Sequence, residues 1–129
     1  MKKIAVVLSG CGYLDGSEIT EAVLTLLEIN KQNAEAIIFA PDKDAHHTVN
    51  HLKGEETGKG RNVLLESARI ARGKVHELSD AIDMDLDALV LPGGYGVAKN
   101  LSEFAFCGAE ATVHESLTQL IKRMHGEKK

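Results

Sequence analysis

Asp87-Ala88-Leu89-Val90-Leu91-Pro92-Gly93-Gly94-Tyr95-Gly96 is the stretch around which the rest of the chain is organised. Residues 88–91 form a short, uninterrupted apolar run, the pattern of a strand buried on both faces of a parallel sheet. Pro92 has no N–H to give to a ladder, so strand pairing should stop there. Gly93, Gly94 and Gly96 let the backbone turn sharply and bare its N–H groups. In open α/β sheets, ligands bind in the crevice at the carboxyl ends of the strands. A glycine turn at that edge is a candidate anion or oxyanion pocket; on spacing alone, a plain strand-to-loop turn explains it as well.

Upstream, residues 3–8 read as a continuous apolar strand that runs into the loop of residues 9–17. Ile19, Ala22, Val23, Leu26 and Leu27 then recur at three- and four-residue steps, the stripe of an amphipathic helix. Asp15 with Glu18, or Ser17, supplies its start signal. Residues 36–40 are a second buried strand, closed by Pro41 and Asp42, and the unit reads as a right-handed βαβ. Residues 42–60 turn polar and glycine-dotted, which predicts a long loop. Asn62 caps a helix through Ala71 with Gly73 as its stop, and residues 74–78 form a modest strand.

The acidic segment 79–87 predicts a connector, and residues 99–111 a loop with a helical turn. Val113, Leu117, Leu120, Ile121 and Met124 stripe a last helix that Gly126 ends. The expectation is one α/β domain over residues 1–129, with four strands and three clear helices in a doubly wound, mainly parallel, flavodoxin-like sheet. Such a sheet usually takes another strand after a helix like the last one. Without it an apolar sheet edge is uncovered, a pattern that predicts a chain cut short or an associating surface.

Composition narrows the function. The 129 residues include 43% hydrophobic and only 4% aromatic residues, so the core must be aliphatic. Fifteen Lys and Arg against nineteen Asp and Glu give a net charge of −4 with no basic block. Nucleic acid and anionic membrane are therefore not expected partners. No run reaches the length of a spanning helix and no signal peptide is legible, so a cytoplasmic address is expected. Cys11 and Cys107 form no CxxC pair and read as reduced thiols.

Other chemistries have thinner support. His46, His47 and His51 invite a metal reading, yet no acid or cysteine completes a set at convincing spacing, and no metal is expected. The acidic residues 80–87 lack the glycine and terminal glutamate of a calcium loop. Ser9 lacks a Gly-x-Ser-x-Gly elbow. Gly10-x-Gly12 lacks a third glycine in register, which weakens a dinucleotide site. Cys107 follows no elbow signature and reads as a small hydrophobe. Cys11, in the loop after the first strand, is a possible lining residue of the pocket at the sheet edge.

Several blocks together resemble one family: Leu8-Ser9-Gly10-Cys11-Gly12, Asp15-Gly16-Ser17-Glu18-Ile19, Phe39-Ala40-Pro41-Asp42-Lys43, Asn50-His51-Leu52, Arg61-Asn62-Val63-Leu64, and the run from Leu91 through Leu101. The chain resembles the ThiJ/PfpI superfamily, which has the class I glutamine amidotransferase-like fold, and within it the ElbB-type branch linked to isoprenoid biosynthesis and assigned a glyoxalase activity. The resemblance implies a cofactor-independent enzyme acting on small α-oxoaldehydes. It implies Glu18 as the acidic pocket residue beside a nucleophilic cysteine, and Gly93 and Gly94 as the turn facing the reacting oxygen. Tyr95, next to that turn, is a second possible lining residue. The family's elbow cysteine lies in a strand after the last helix seen here, so the resemblance implies an amino-terminal part, incomplete at the C-terminus and inactive alone. A homo-oligomer is expected. Two alternatives stand beside this reading: a non-catalytic binding or regulatory module of the same fold, and a flavodoxin-like nucleotide binder.

Overall fold

A computed structural model describes all residues from Met1 to Lys129. Four parallel strands make the main sheet: β1 (Lys3–Val7), β2 (Glu35–Ala40), β5 (His76–Glu77) and β6 (Ala88–Val90), in the order β5-β2-β1-β6. β1 lies between β2, with Val7 opposite Phe39, and β6, with Val6 opposite Val90. β2 takes β5 on its other side, Phe39 opposite His76. The expected flavodoxin-like, amidotransferase-like α/β architecture is present.

The two faces follow from strand alternation. Ala5, Val7 and Phe39 point into one core, closed by Leu78 and Ala81 of a 3₁₀ segment (Leu78–Asp83) and by Leu117, Leu120 and Met124. Those last three come from α5 (Glu115–Gly126), one step of the final helix after another. Val6, Leu8 and Ile38 point the other way, onto Ala22 of α1 (Ile19–Lys31) and Ala71 of α2 (Val63–Ala71). Asn62 accepts from the Leu65 N–H at 3.0 Å as the cap of α2, which closes through left-handed Arg72 and Gly73.

Two expectations are corrected. The 88–91 run is an edge strand and only half-buried, because β1 and β2 hold the interior positions. Residues 42–60 contain an antiparallel hairpin, β3 (Thr48–Asn50) with β4 (Glu55–Thr57). Its strands are too short and polar to show a two-residue period. Residues 99–111 hold the expected loop with a helical turn, α4 (Phe104–Cys107), followed by a 3₁₀ turn (Gly108–Glu110), and one more short turn, α3 (Gly96–Lys99), leads into them. The α1 stripe is only partly covered: Ala22 is buried and Leu26 and Ile29 pack on the core, but Ile19, Val23 and Leu27 remain about half exposed, as does Leu24.

Candidate functional site

Two loops meet at the carboxyl ends of β1 and β6. After β1, the chain coils through residues 9–18, with Gly16 N–H donating to Gly12 O at 2.7 Å and Gly12 N–H to Ser17 O at 2.8 Å. Buried Ser17 accepts from the Ser9 N–H at 2.9 Å. After β6, the glycine turn is stitched onto that coil by backbone bonds of 2.8 Å: Glu18 N–H to Gly93 O, Tyr95 N–H to Tyr13 O, and Gly96 N–H to Gly16 O.

Glycine is required where the two loops touch. Gly94 has φ +113°, and a Cβ there would stand 2.4 Å from Gly16 O and 2.5 Å from Glu18 N. At Gly96 a Cβ would meet Ser9 Oγ at 2.1 Å. Fully paired as the seam is, the N–H groups of Gly93 and Gly94 themselves donate to nothing within the chain. Two bare donors therefore remain at the turn.

Asn100 holds the same region from behind. Its buried amide donates to Ser9 O and to Asp15 O, each at 2.9 Å, and accepts from the His46 N–H at 2.9 Å. Lys99 reaches forward to Leu14 O at 2.7 Å and His47 Nε2 at 2.9 Å. Asp15 anchors the hairpin by accepting from the Val49 N–H at 2.8 Å.

A shallow hollow of about 360 Å³ opens at this junction, lined by Tyr13, Glu18, Glu21, Gly94 and Tyr95. Glu18 is half-buried and is also the cap of α1, where its Oε2 accepts from the Glu21 N–H at 2.7 Å. The capping role and a place in the hollow thus coexist in one side chain. Glu21, one turn on, lays its carboxylate against Gly93: Oε2 and Oε1 lie 2.7 and 2.8 Å from where a Cβ on Gly93 would stand. The hollow therefore brings two carboxylates and two phenols beside a turn with unbonded amides, a set suited to proton transfer next to a polarised oxygen.

Of the residues singled out from sequence, Glu18, Gly94 and Tyr95 line this hollow and Gly93 adjoins it. Cys11 does not. It lines a separate, much smaller cleft with Asp15, His47, Arg61 and Glu66. Burial pushes its thiol up, against the pull of Arg69, which disfavours a thiolate. Cys107 is exposed on α4, its Sγ 3.9 Å from Glu103 Oε2. Neither thiol is in the hollow with Glu18.

Three residues escaped the sequence reading. Glu21 could have been found from its three-residue spacing to Glu18, which puts both on one helix face. Tyr13 and Asn100 carried no such signal, because their roles depend on contacts across the seam. His46 and His47 meet edge to face at 5.1 Å, but each is otherwise engaged, His47 Nδ1 facing Glu56 at 3.5 Å and His46 stacked on Phe106 at 3.8 Å, and His51 lies apart beside Asp15 and Tyr13. No group of three or more His, Cys, Asp or Glu side chains is placed to hold a metal.

A larger polar cavity of about 460 Å³ lies on the opposite side of Asn100, lined by Lys43, His46, Glu103 and His114 among others, and contains none of Glu18, Gly93 or Gly94. Burial, with the nearby Lys43 ammonium, holds the His114 imidazole below its ordinary range.

No protein-family model matches the chain. Over 98% of its length it is 48% identical to the mitochondrial ES1 protein homolog of Rattus norvegicus, of which it covers 48%. Over 95% of its length it is 46% identical to the human mitochondrial glutamine amidotransferase-like class 1 domain-containing protein 3, of which it covers 46%. The chain spans about half the length of the curated relatives it matches. Among solved structures it is similar to an isoprenoid biosynthesis protein with amidotransferase-like domain from Ehrlichia chaffeensis, with TM-score 0.90 and 42% identity, covering 98% of this chain and 60% of that one. The cytoplasmic expectation is corrected by the relatives, since the rat and human proteins are both named as mitochondrial. Fold and relatives agree: this is an amidotransferase-like domain related to the isoprenoid biosynthesis proteins, and they support the resemblance to the ThiJ/PfpI-like, class I glutamine amidotransferase-like superfamily.

Proposed function

We propose that the chain supplies half of a cofactor-independent glyoxalase site, for small α-oxoaldehydes such as glyoxal. A thiolate adds to one aldehyde carbon, and the alkoxide that forms is held by the Gly93 and Gly94 N–H groups. Protonation gives a hemithioacetal. Glu18 then takes the proton from the sulfur-bearing carbon and returns one to the neighbouring carbon, leaving a thioester of glycolate. Water releases glycolate and regenerates the thiol, so no oxidant or reductant is consumed.

One observation carries this reading: the half-buried Glu18 carboxylate shares a hollow with a turn whose two amides have no partner. The thiol comes from neither Cys11, which faces another cleft, nor exposed Cys107. We assign it to an elbow cysteine outside these 129 residues, so the 129-residue chain alone turns over no glyoxal. Incubating the purified chain with glyoxal and measuring glycolate tests this. Robust turnover that disappears in Glu18→Ala would overturn the outside-thiol assignment. Joining the chain to the remaining part of the Ehrlichia chaffeensis protein is expected to give a glyoxal-consuming chimera. In it, Glu18→Gln should cost at least about a hundredfold in kcat/KM. An unchanged rate would remove Glu18 from the chemistry.

A second reading is favoured by a separate observation. The outer edge of β6 pairs with nothing, and α1, whose capping Glu18 is hydrogen-bonded to the glycine turn, leaves Ile19, Val23, Leu24 and Leu27 half exposed. A non-catalytic module that self-associates through this surface, keeping the same hollow, fits that feature.

A further inference from the structure

We propose that Glu21 is a charge gate at the glycine turn, so that the site admits uncharged aldehydes and turns away those bearing a carboxylate. The inference rests on the oxyanion role proposed above for Gly93 and Gly94 and names the selectivity of that same site. Two bare N–H groups at a turn are ordinarily a place where any small anion settles. Here the position is guarded. The Glu21 carboxylate lies against Gly93, close enough that no side chain could replace the glycine hydrogen without displacing it.

Glu21 has no structural duty that explains this placement. Its carboxylate accepts no hydrogen bond and makes no ion pair; only its backbone N–H and C=O are engaged, by Glu18 and Thr25. Glu18 adds a second negative charge to the hollow. No lining residue is cationic. The Lys99 ammonium, 5.4 Å from the Tyr95 ring centre, is taken up by Leu14 O and His47 Nε2. An incoming carboxylate therefore meets two carboxylates and no cation in the lining, with the nearest ammonium held by other acceptors outside it. A transient alkoxide differs: it forms on a neutral molecule already bound, at an oxygen directed to the amides. Glyoxal and other uncharged oxoaldehydes are accordingly accepted, and glyoxylate is refused.

The test uses the 129-residue chain and needs no turnover. Acetate is titrated at low ionic strength into wild type and Glu21→Gln while the Gly93 and Gly94 amide resonances are followed by ¹H–¹⁵N NMR. Acetamide serves as the uncharged probe of the same shape. Glu21 is exposed on the first turn of α1, and glutamine keeps its size, so the variant retains the fold. We expect acetate to bind the variant at least about tenfold more tightly than wild type, with acetamide unchanged. Equal acetate binding by both proteins would overturn the gate while leaving the amides as an anion pocket. A parallel gain for acetamide would show a steric effect and also overturn it. If acetate moves neither amide even in Glu21→Gln, the oxyanion role itself fails, and the gate with it.

Discussion

Gly94 combines a left-handed backbone with a close backbone approach, a constraint that a single substitution tests directly. Its φ of +113° and the approach of Gly16 O and Glu18 N leave no room for a methyl group. Gly94→Ala is expected to cost more than about 3 kcal/mol in urea unfolding, from backbone strain plus a forced opening of the seam. Gly54→Ala is the control. With φ +72° and nothing within 4 Å of a Cβ, it should cost only about 1 kcal/mol. Asn100→Ala removes three hydrogen bonds, one buried and two partly buried, and strands two carbonyls and an N–H, for an expected loss of about 2–4 kcal/mol in the same assay. The turn itself was legible in sequence from Pro-Gly-Gly after an apolar run, but a plain strand-to-loop turn reads the same; the close approach of Gly94 to Gly16 and Glu18 is visible only in the fold. Asn100 was not legible, since an asparagine after a short helix looks the same whether it faces water or bridges three loops.

Among the elements, α1 begins on a residue with two duties. Glu18→Ala should destabilise the chain by about 1 kcal/mol through loss of the cap, whereas Glu18→Gln, whose amide oxygen can still accept from the Glu21 N–H, should cost less. A thermal melt of both variants separates the cap from any proton-transfer role. At the other end of the sheet, β5 and α5 face each other through Glu77 and His114. Burial raises the Glu77 carboxyl, but the Ser79 hydroxyl and N–H and the Asp42 N–H outweigh it and hold it below its ordinary value. His114 is held down by burial and Lys43. Both groups bind fewer protons folded than unfolded, so stability is full above their ordinary values and drains away as the pH falls. The His114 contribution is lost first, on descending below about pH 6.5, and that of Glu77 below about 4.5. Urea midpoints measured across this range should lose the upper step in His114→Gln and keep the lower one. The helices and longer strands were readable from periodicity and caps. The β3–β4 hairpin was not, because it is held mainly by Asp15 and by N–H groups of residues 52 and 53 donating to the Asn50 side chain, with only Val49 buried on its apolar side.

At the scale of the whole molecule, apolar surface is distributed unevenly. One face of the sheet is closed by α5 and the 3₁₀ segment. The other is covered where α1 and α2 reach and is continued by the exposed side of α1. If self-association uses that surface, sedimentation should show a concentration-dependent dimer, and Leu24→Glu should return it to monomer without changing the circular dichroism spectrum. A monomer at every concentration would exclude that mode. The α/β class was legible from the strand, helix, strand rhythm alone. That β6 lies at the rim beside β1 was not, because a short apolar run reads the same at the centre of a parallel sheet as at its margin.

The pairing of residue 4 with residue 88 also bears on how the protein is made. On the ribosome, β1 emerges first and can take β2 early, but its other flank must wait for Ala88. At ordinary translation speeds that interval is roughly ten seconds. For that time a nascent chain carries one unsatisfied row of backbone groups on a mostly apolar strand, an opening for chaperones.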